Sequence, residues 1–221
     1  MLFSIFQSDM TGLEIMLAIV AFGLAIMIAL VFHEWAHAFA AYKSGDPTAK
    51  MMGRMTLNPA KHVEPLGLFS FIFIGIGWAK PVPVNPFNYR NFRRGNFWVS
   101  IAGVLTNFIF GFVFSLGFFM ITNFTNYVEN VWLWALAIFF MFSMVINISL
   151  MIFNLLPIPP LDGYNMLRSI TKPNNSYMQW ARDNAHWLLI VVLLVSMFSG
   201  GIFLLRDGII SLFNMLWGAI F

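Results

Sequence analysis

The residues best equipped for chemistry are His33-Glu34-Trp35-Ala36-His37. On a helix, positions i and i+4 share a face, so both imidazoles can reach one metal ion. Glu34, next to the first imidazole, can contact a water on that ion and take its proton. Two imidazoles and a water leave the set one protein ligand short of the three that usually hold a catalytic zinc. The sequence has no cysteine, so the third ligand must be an imidazole, a carboxylate or a backbone oxygen, and His62, His186 and the acidic residues are the candidates. Among them Asp162 stands out. It follows Pro157, Pro159 and Pro160, which make a stiff extended segment, and precedes Gly163, which permits a tight turn. The alternative role for this carboxylate is to cap a helix beginning near Tyr164.

These groups lie in an unusual chain. Of its 221 residues 60% are hydrophobic and only 10% charged, against about 25% charged in a soluble domain. That is too little charge to cover a water-facing surface, so the protein is expected to be an all-α polytopic membrane protein. The net charge of +3 is too weak an excess for nucleic-acid binding. The first residues, before the long apolar run, hold Asp9 and Glu14 and no Lys or Arg, which does not fit a cleavable signal peptide.

Apolar runs give the positioning elements. Residues 13–32 are long enough to cross a bilayer and continue through the histidine motif as one helix ending near Gly45. Residues 66–79 are short and contain Gly67, Gly75 and Gly77, which fits a re-entrant or β-like membrane element better than a crossing. Full spans follow at 97–121 and 131–153, the second stopped by the proline run. A last span is expected at 187–205, then a short interfacial helix or partial return; 171–184 reads as a plain connecting loop. Lys43, Lys50, Arg54 and Lys61 follow the first span, Lys80, Arg90, Arg93 and Arg94 precede the next, and Arg168, Lys172 and Arg182 follow the 131–153 span. The 122–130 connection has Glu129 and no basic residue. If 66–79 dips in and returns, all three basic loops fall on the cytoplasmic side and the N-terminus lies outside. On this topology Asp162 returns to the same side as His33 and His37.

Two motifs together resemble the site-2 protease family of membrane-embedded zinc metalloproteases, peptidase family M50, in its short prokaryotic branch without a PDZ domain. His33-Glu34-Trp35-Ala36-His37 matches the family's first motif, and the segment from Asn154 to Gly163 matches the second. The resemblance covers about residues 20–170 of a single membrane-embedded metalloprotease domain spanning 1–221. It implies one Zn2+ per chain held by His33, His37 and Asp162, with Glu34 catalytic and Asn154 holding substrate or the oxyanion. The implied activity is zinc-dependent cleavage of transmembrane or membrane-associated peptides in the cell membrane, with the active site towards the cytoplasm. The competing classes are a catalytically inactive metal-containing scaffold or chaperone and a divalent-cation transporter. Gly103, Asn107, Gly111 and Ser115 recur every four residues, a small-residue stripe that another helix can approach closely. Asn107 either ties helices together or lines the active-site cavity. Asn147 and Asn154 share one helix face, and His62 is either structural or an auxiliary active-site residue.

Overall fold

The first helix starts at a reciprocal cap. The Thr11 hydroxyl accepts from the Glu14 amide at 3.3 Å while the Glu14 carboxylate accepts from the Thr11 N–H at 2.7 Å, so two of the helix's orphan donors are met. In the computed structural model, which describes residues 10–67, 69, 80–172 and 175–221, that helix runs unbroken through the histidine motif as α1 (Gly12–Ser44). It ends where Gly45 takes a left-handed φ of 111°. After it come α2 (Thr48–Met51), α3 (Phe92–Phe124), α4 (Val131–Leu155), α5 (Asp162–Ile170), α6 (Ser176–Asp183), α7 (Ala185–Ser199) and α8 (Gly201–Ile220). Four of these, α1, α3, α4 and α8, are long and apolar enough to cross a membrane. Among the described residues there is no β-strand.

Helices in lipid gain little from hydrophobicity, so their association depends on close packing. Small residues provide it here. Ala21, Ala25 and Ala29 of α1 are buried at four-residue spacing against Phe142 and Ile146 of α4. The same row continues through His33 and His37 to Ala41, which is why the imidazoles face the bundle and not the lipid. On α3 the stripe inferred from sequence is buried throughout, but it meets several partners. Gly103 lies against the two imidazoles, Gly111 against Ile148 of α4, and Ser115 accepts a hydrogen bond from the Trp217 indole of α8 at 2.9 Å.

Helix lengths place the site by depth. At 1.5 Å per residue, His33 lies about 32 Å from the start of α1, and Gly103 lies about 32 Å from the far end of α3. A hydrocarbon layer is about 30 Å thick. The histidines therefore lie about one layer thickness along α1, at the end of the bundle that carries the basic loops.

Most of 66–79, where the re-entrant or β-like element is expected, lies outside the described residues. Its flanks are informative: the Lys80 N–H donates to the His62 carbonyl at 2.8 Å, so the chain returns at residue 80 to the point it left at residue 62. Beyond it, residues 80–85 run without regular structure into a single 3-10 turn at Pro86–Asn88, and this strap over 80–88 is anchored to the end of α1. Asp46, buried just after that end, accepts from the amides of Thr48 at 3.1 Å and Asn85 at 2.6 Å and from the Asn88 amide nitrogen at 2.9 Å. Burial pushes the Asp46 carboxyl up, and these donors more than reverse that and hold it below the usual carboxylate range. Tyr89, buried beside it, is pushed up to about 12 by burial and by the Asp46 charge.

The C-terminal third differs from the sequence expectation in three ways. The span expected over 187–205 is two elements: α7 stops at Ser199, Gly200 takes a φ of 66°, and α8 begins at Gly201. α7 is about 22 Å long, short for a crossing. The residues after 205, expected as a short interfacial helix or a partial return, belong to α8, which packs between α3 and α4 through Phe213 and Trp217. Arg206 and Asp207 obscured this helix in the sequence, but they pair with each other at 2.7 Å. The 171–184 connection is not a plain loop either, because Asn175 caps α6 by accepting from the Met178 amide at 3.2 Å, and Met178 and Ala181 pack on Tyr164. Finally, Gly163 has no left-handed φ. It is needed because a Cβ there would overlap the carbonyls of Leu155 and Leu156, where α5 folds back on the end of α4.

α8 runs parallel to α3: Phe213 meets Phe108 and Phe112, Trp217 meets Phe112, and Phe221 meets Phe119 and Phe124. Residue 221 therefore lies at the same end as the 125–130 connection. In this cysteine-free chain, Lys50→Cys and Arg93→Cys should react with a membrane-impermeant thiol reagent from one side, and Asn126→Cys and Phe221→Cys from the other. Labelling of positions 93 and 126 from the same side would contradict this arrangement.

Candidate metal centre

The segment that follows α4 brings Asp162 to the histidines. Its prolines extend the chain past the helix end, Pro159–Pro160 being a cis peptide, and Leu161 occupies the N-cap of α5 without a side-chain cap. Asp162 does not cap the helix. Its Oδ2 lies 3.4 Å from His33 Nε2 and 3.3 Å from His37 Nε2, and the two Nε2 atoms are 3.0 Å apart. Bonds of about 2.0–2.1 Å to a tetrahedral zinc would separate neighbouring ligand atoms by about 3.3 Å. The three atoms thus fit one face of such a tetrahedron. Asp162 Oδ2 is buried and takes no hydrogen bond, a cost that a cation would remove. Among the described residues, His33, His37 and Asp162 are the group able to hold one metal ion.

Each imidazole is oriented from behind. His37 Nδ1–H donates to the Val99 carbonyl of α3 at 2.7 Å, leaving the Nε2 lone pair to face Asp162. For His33 the partner is Asn107, fully buried, whose Nδ2 lies 3.2 Å from His33 Nδ1 while its Oδ1 has no partner. Turning this amide by 180° puts Oδ1 on the His33 Nδ1–H and removes the orphaned oxygen. A ligating Nε2 on His33 requires that orientation. Asn107 thus ties α3 to α1, one of the two roles left open by the sequence, and does so through a candidate ligand.

None of the other candidates belongs to the triangle. Glu34 is on the adjacent helix face, its Oε2 accepting from the Val82 amide at 2.8 Å. Asn154, half-buried in the last turn of α4, donates from Nδ2 to the Leu150 carbonyl at 3.1 Å. Asn147 is buried and bonded to Ser143 of its own helix at 2.8 Å. His62 is fully buried, and its Nε2–H donates to the Thr56 carbonyl at 2.6 Å, pinning the loop after α2. His186 is exposed at the start of α7. Neither His62 nor His186 belongs to the cluster.

Comparison with known proteins gives the same picture. The profile of peptidase family M50 matches residues 116–198. YwhC of Bacillus subtilis (strain 168), named as a zinc metalloprotease, is 35% identical over 206 residues, covering 88% of this chain and 91% of the relative. This chain belongs to peptidase family M50. Rip2 of Mycolicibacterium smegmatis (strain ATCC 700084 / mc(2)155), likewise named as a zinc metalloprotease, is 30% identical over 178 residues, covering 77% of this M50 chain and 64% of the relative. Rip2 of Mycobacterium tuberculosis (strain ATCC 25618 / H37Rv) is 29% identical over 185 residues, covering 80% and 68%. No solved structure matches the chain.

Three functional groups of this M50 protein carry no motif signal. The Val99 carbonyl and the Val82 amide are backbone atoms, which any residue except proline in the second case could supply. Gly103 reads from sequence as a helix-packing residue, yet a Cβ there would lie 2.5 Å from His33 Cε1 and 2.6 Å from His37 Nε2. Gly103→Ala should therefore displace the rings and weaken zinc binding by about tenfold or more, as loss of a ligand's supporting contacts does. Gly111→Ala on the same stripe meets Ile148 of α4, at 2.5 Å from Cδ1 and 2.8 Å from Cγ1, and no ligand, and should lower the melting temperature while leaving zinc affinity unchanged. Chelator competition on both variants checks this. Equal zinc affinity in Gly103→Ala and wild type would contradict it.

Proposed function

We propose that this protein is a zinc-dependent intramembrane endopeptidase that hydrolyses peptide bonds in or near the transmembrane segments of other membrane proteins. The observation that carries the reading is the ligand triangle of His33, His37 and Asp162, set about 32 Å along α1, at the edge of the hydrocarbon layer. There water can enter from one side and a membrane peptide from the other. We assign one zinc per chain to these residues, Glu34 as general base, Asn154 as donor to the oxyanion, and residues 1–221 as one membrane-embedded metalloprotease domain. We also infer that the site lies on the cytoplasmic side of a multi-pass cell-membrane protein. The backbone bond between His62 and Lys80, which brings the two basic flanks to one end of the bundle, supports this, as do the basic residues of those flanks.

A zinc ion held there supplies Lewis acidity, polarising the scissile carbonyl and making water easier to deprotonate. Glu34 accepts the proton as the water oxygen bonds to the carbonyl carbon, then delivers it to the amide nitrogen as the C–N bond breaks. Its Oε1 is available for this because the Val82 bond engages Oε2. Asn154 Nδ2 carries two hydrogens and its bond to Leu150 uses one. The second can meet the carbonyl oxygen as it gains charge. The substrate must unwind before attack, because the carbonyls of a membrane helix are already bonded within the helix. Asn107 and Val99 keep the imidazoles aimed throughout.

Glu34→Gln is nearly isosteric but cannot take up the proton. It should retain zinc and melting temperature and lower turnover of membrane peptides by about 10²–10⁴-fold. The substrates can be found by mass spectrometry of membrane peptides that accumulate in cells expressing Glu34→Gln, followed by cleavage assays in liposomes. Turnover by Glu34→Gln within threefold of wild type would remove Glu34 from the role of base. Zinc binding without cleavage of any membrane peptide by the wild type would instead support a metal-containing scaffold.

A further inference from the structure

The strap at residues 80–88 passes the site without contributing a ligand, and the bonds around Val82 explain what it does. Pro81 and Pro83 have no N–H, so Val82 is the only backbone donor in that tripeptide. Its hydrogen goes to Glu34 Oε2 at 2.8 Å, across 48 residues of sequence. The carbonyl of the same peptide unit, that of Pro81, accepts from Arg54 Nη2 at 3.2 Å, and the neighbouring Lys80 carbonyl accepts from the same nitrogen at 2.8 Å. Arg54 is buried, and among the described residues it has no carboxylate partner. A peptide unit is planar, with its N–H and C=O pointing in opposite directions. A guanidinium on the oxygen and a carboxylate on the N–H polarise it in the same sense, so each bond strengthens the other.

We propose that Val82 and Arg54 are positioning residues for Glu34: the peptide plane between Pro81 and Val82 couples the buried guanidinium to the carboxylate and fixes which of its oxygens faces the reacting water. This deepens the function proposed above and rests on Glu34 being the base. The rest of the strap serves the same end. The Val82 side chain is buried against Ala38 and Ala49, and Asp46 holds Asn85 and Asn88 further along. Glu34 is thereby supported from outside its own helix.

Two pairs of variants, with Glu34→Gln alongside, test the coupling on a membrane peptide that wild type cleaves. Val82→Pro removes the donor and keeps an extended backbone, whereas Val82→Ala keeps the donor and trims the side chain. Val82→Pro should lower kcat by about tenfold to a hundredfold, the scale of a misplaced catalytic group, with KM and zinc content within twofold of wild type. Val82→Ala should retain most of kcat. Arg54→Met should resemble Val82→Pro, and Arg54→Lys, which restores a charged donor, should recover part of the loss. If Val82→Pro does not fold, the Arg54 pair carries the test. An independent readout uses the metal-free protein. The carboxylate infrared band assigned to Glu34 by difference from Glu34→Gln should shift in Val82→Pro and Arg54→Met and stay in place in Val82→Ala. A strap that only packs would give the reverse order, with Val82→Ala the more damaged and the Glu34 band unmoved in Val82→Pro and Arg54→Met. Either result overturns the inference. Full activity in Glu34→Gln would overturn the assignment of the base instead.

Discussion

A buried carboxylate oxygen facing two imidazole nitrogens is the constraint on which this fold depends. Asp162 Oδ2 has no hydrogen-bond donor of its own and lies 3.3–3.4 Å from both Nε2 atoms. Such a group is costly near a membrane interior unless a cation or proton resides with it. Holding it there takes three separate pieces of chain. α1 carries the imidazoles, α3 backs them with Val99, Gly103 and Asn107, and the proline run after α4 delivers the carboxylate. The close fit of Gly163 against the end of α4 fixes where α5, and with it Asp162, can begin.

The surrounding helices are consistent with that demand. Alanines below the histidines on α1 let α4 approach, and the small residues of α3 let α1, α4 and α8 approach in turn. In lipid such contact between backbones is the main source of helix association, so the packing stripe and the site are one continuous feature. On α3 that stripe changes role along its length: Gly103 makes room for imidazoles, Asn107 orients one of them, and Gly111 and Ser115 accommodate neighbouring helices. The polar loops at the same end perform a second task. Asp46, Arg54 and His62 each use buried hydrogen-bonding groups on backbone atoms of the loops or strap, so side chains supply the partners that these irregular segments lack from secondary structure.

The parts of this design that the sequence revealed are those written in side-chain type and period. The i, i+4 histidines, the carboxylate after the proline run, the helix boundaries at Gly45 and near Val131, and the four-residue stripe on α3 are all of that kind. The basic residues of the loops were enough to put Asp162 on the same side of the membrane as His33 and His37. What could not be read depends on backbone atoms or on tertiary override of local composition. The Val82 amide and Val99 carbonyl have no side-chain signature. The Arg206 and Asp207 pair made α8 look like the end of a span, although the two charges offset each other. Gly163 looked like a turn residue and is in fact required by the nearby carbonyls of Leu155 and Leu156, residues that the prolines separate from it in sequence.

The central claim is that one zinc is held by two imidazoles and the Asp162 carboxylate. X-ray absorption at the zinc edge of the purified protein tests it most directly, because imidazole rings have a characteristic multiple-scattering pattern that can be counted. A four-coordinate ion with two imidazoles and oxygen ligands at about 2.0–2.2 Å is expected, and Asp162→Ala should weaken zinc binding while leaving the imidazole count at two. Three or more imidazoles at the zinc, or zinc held by Asp162→Ala as tightly as by wild type, would contradict it.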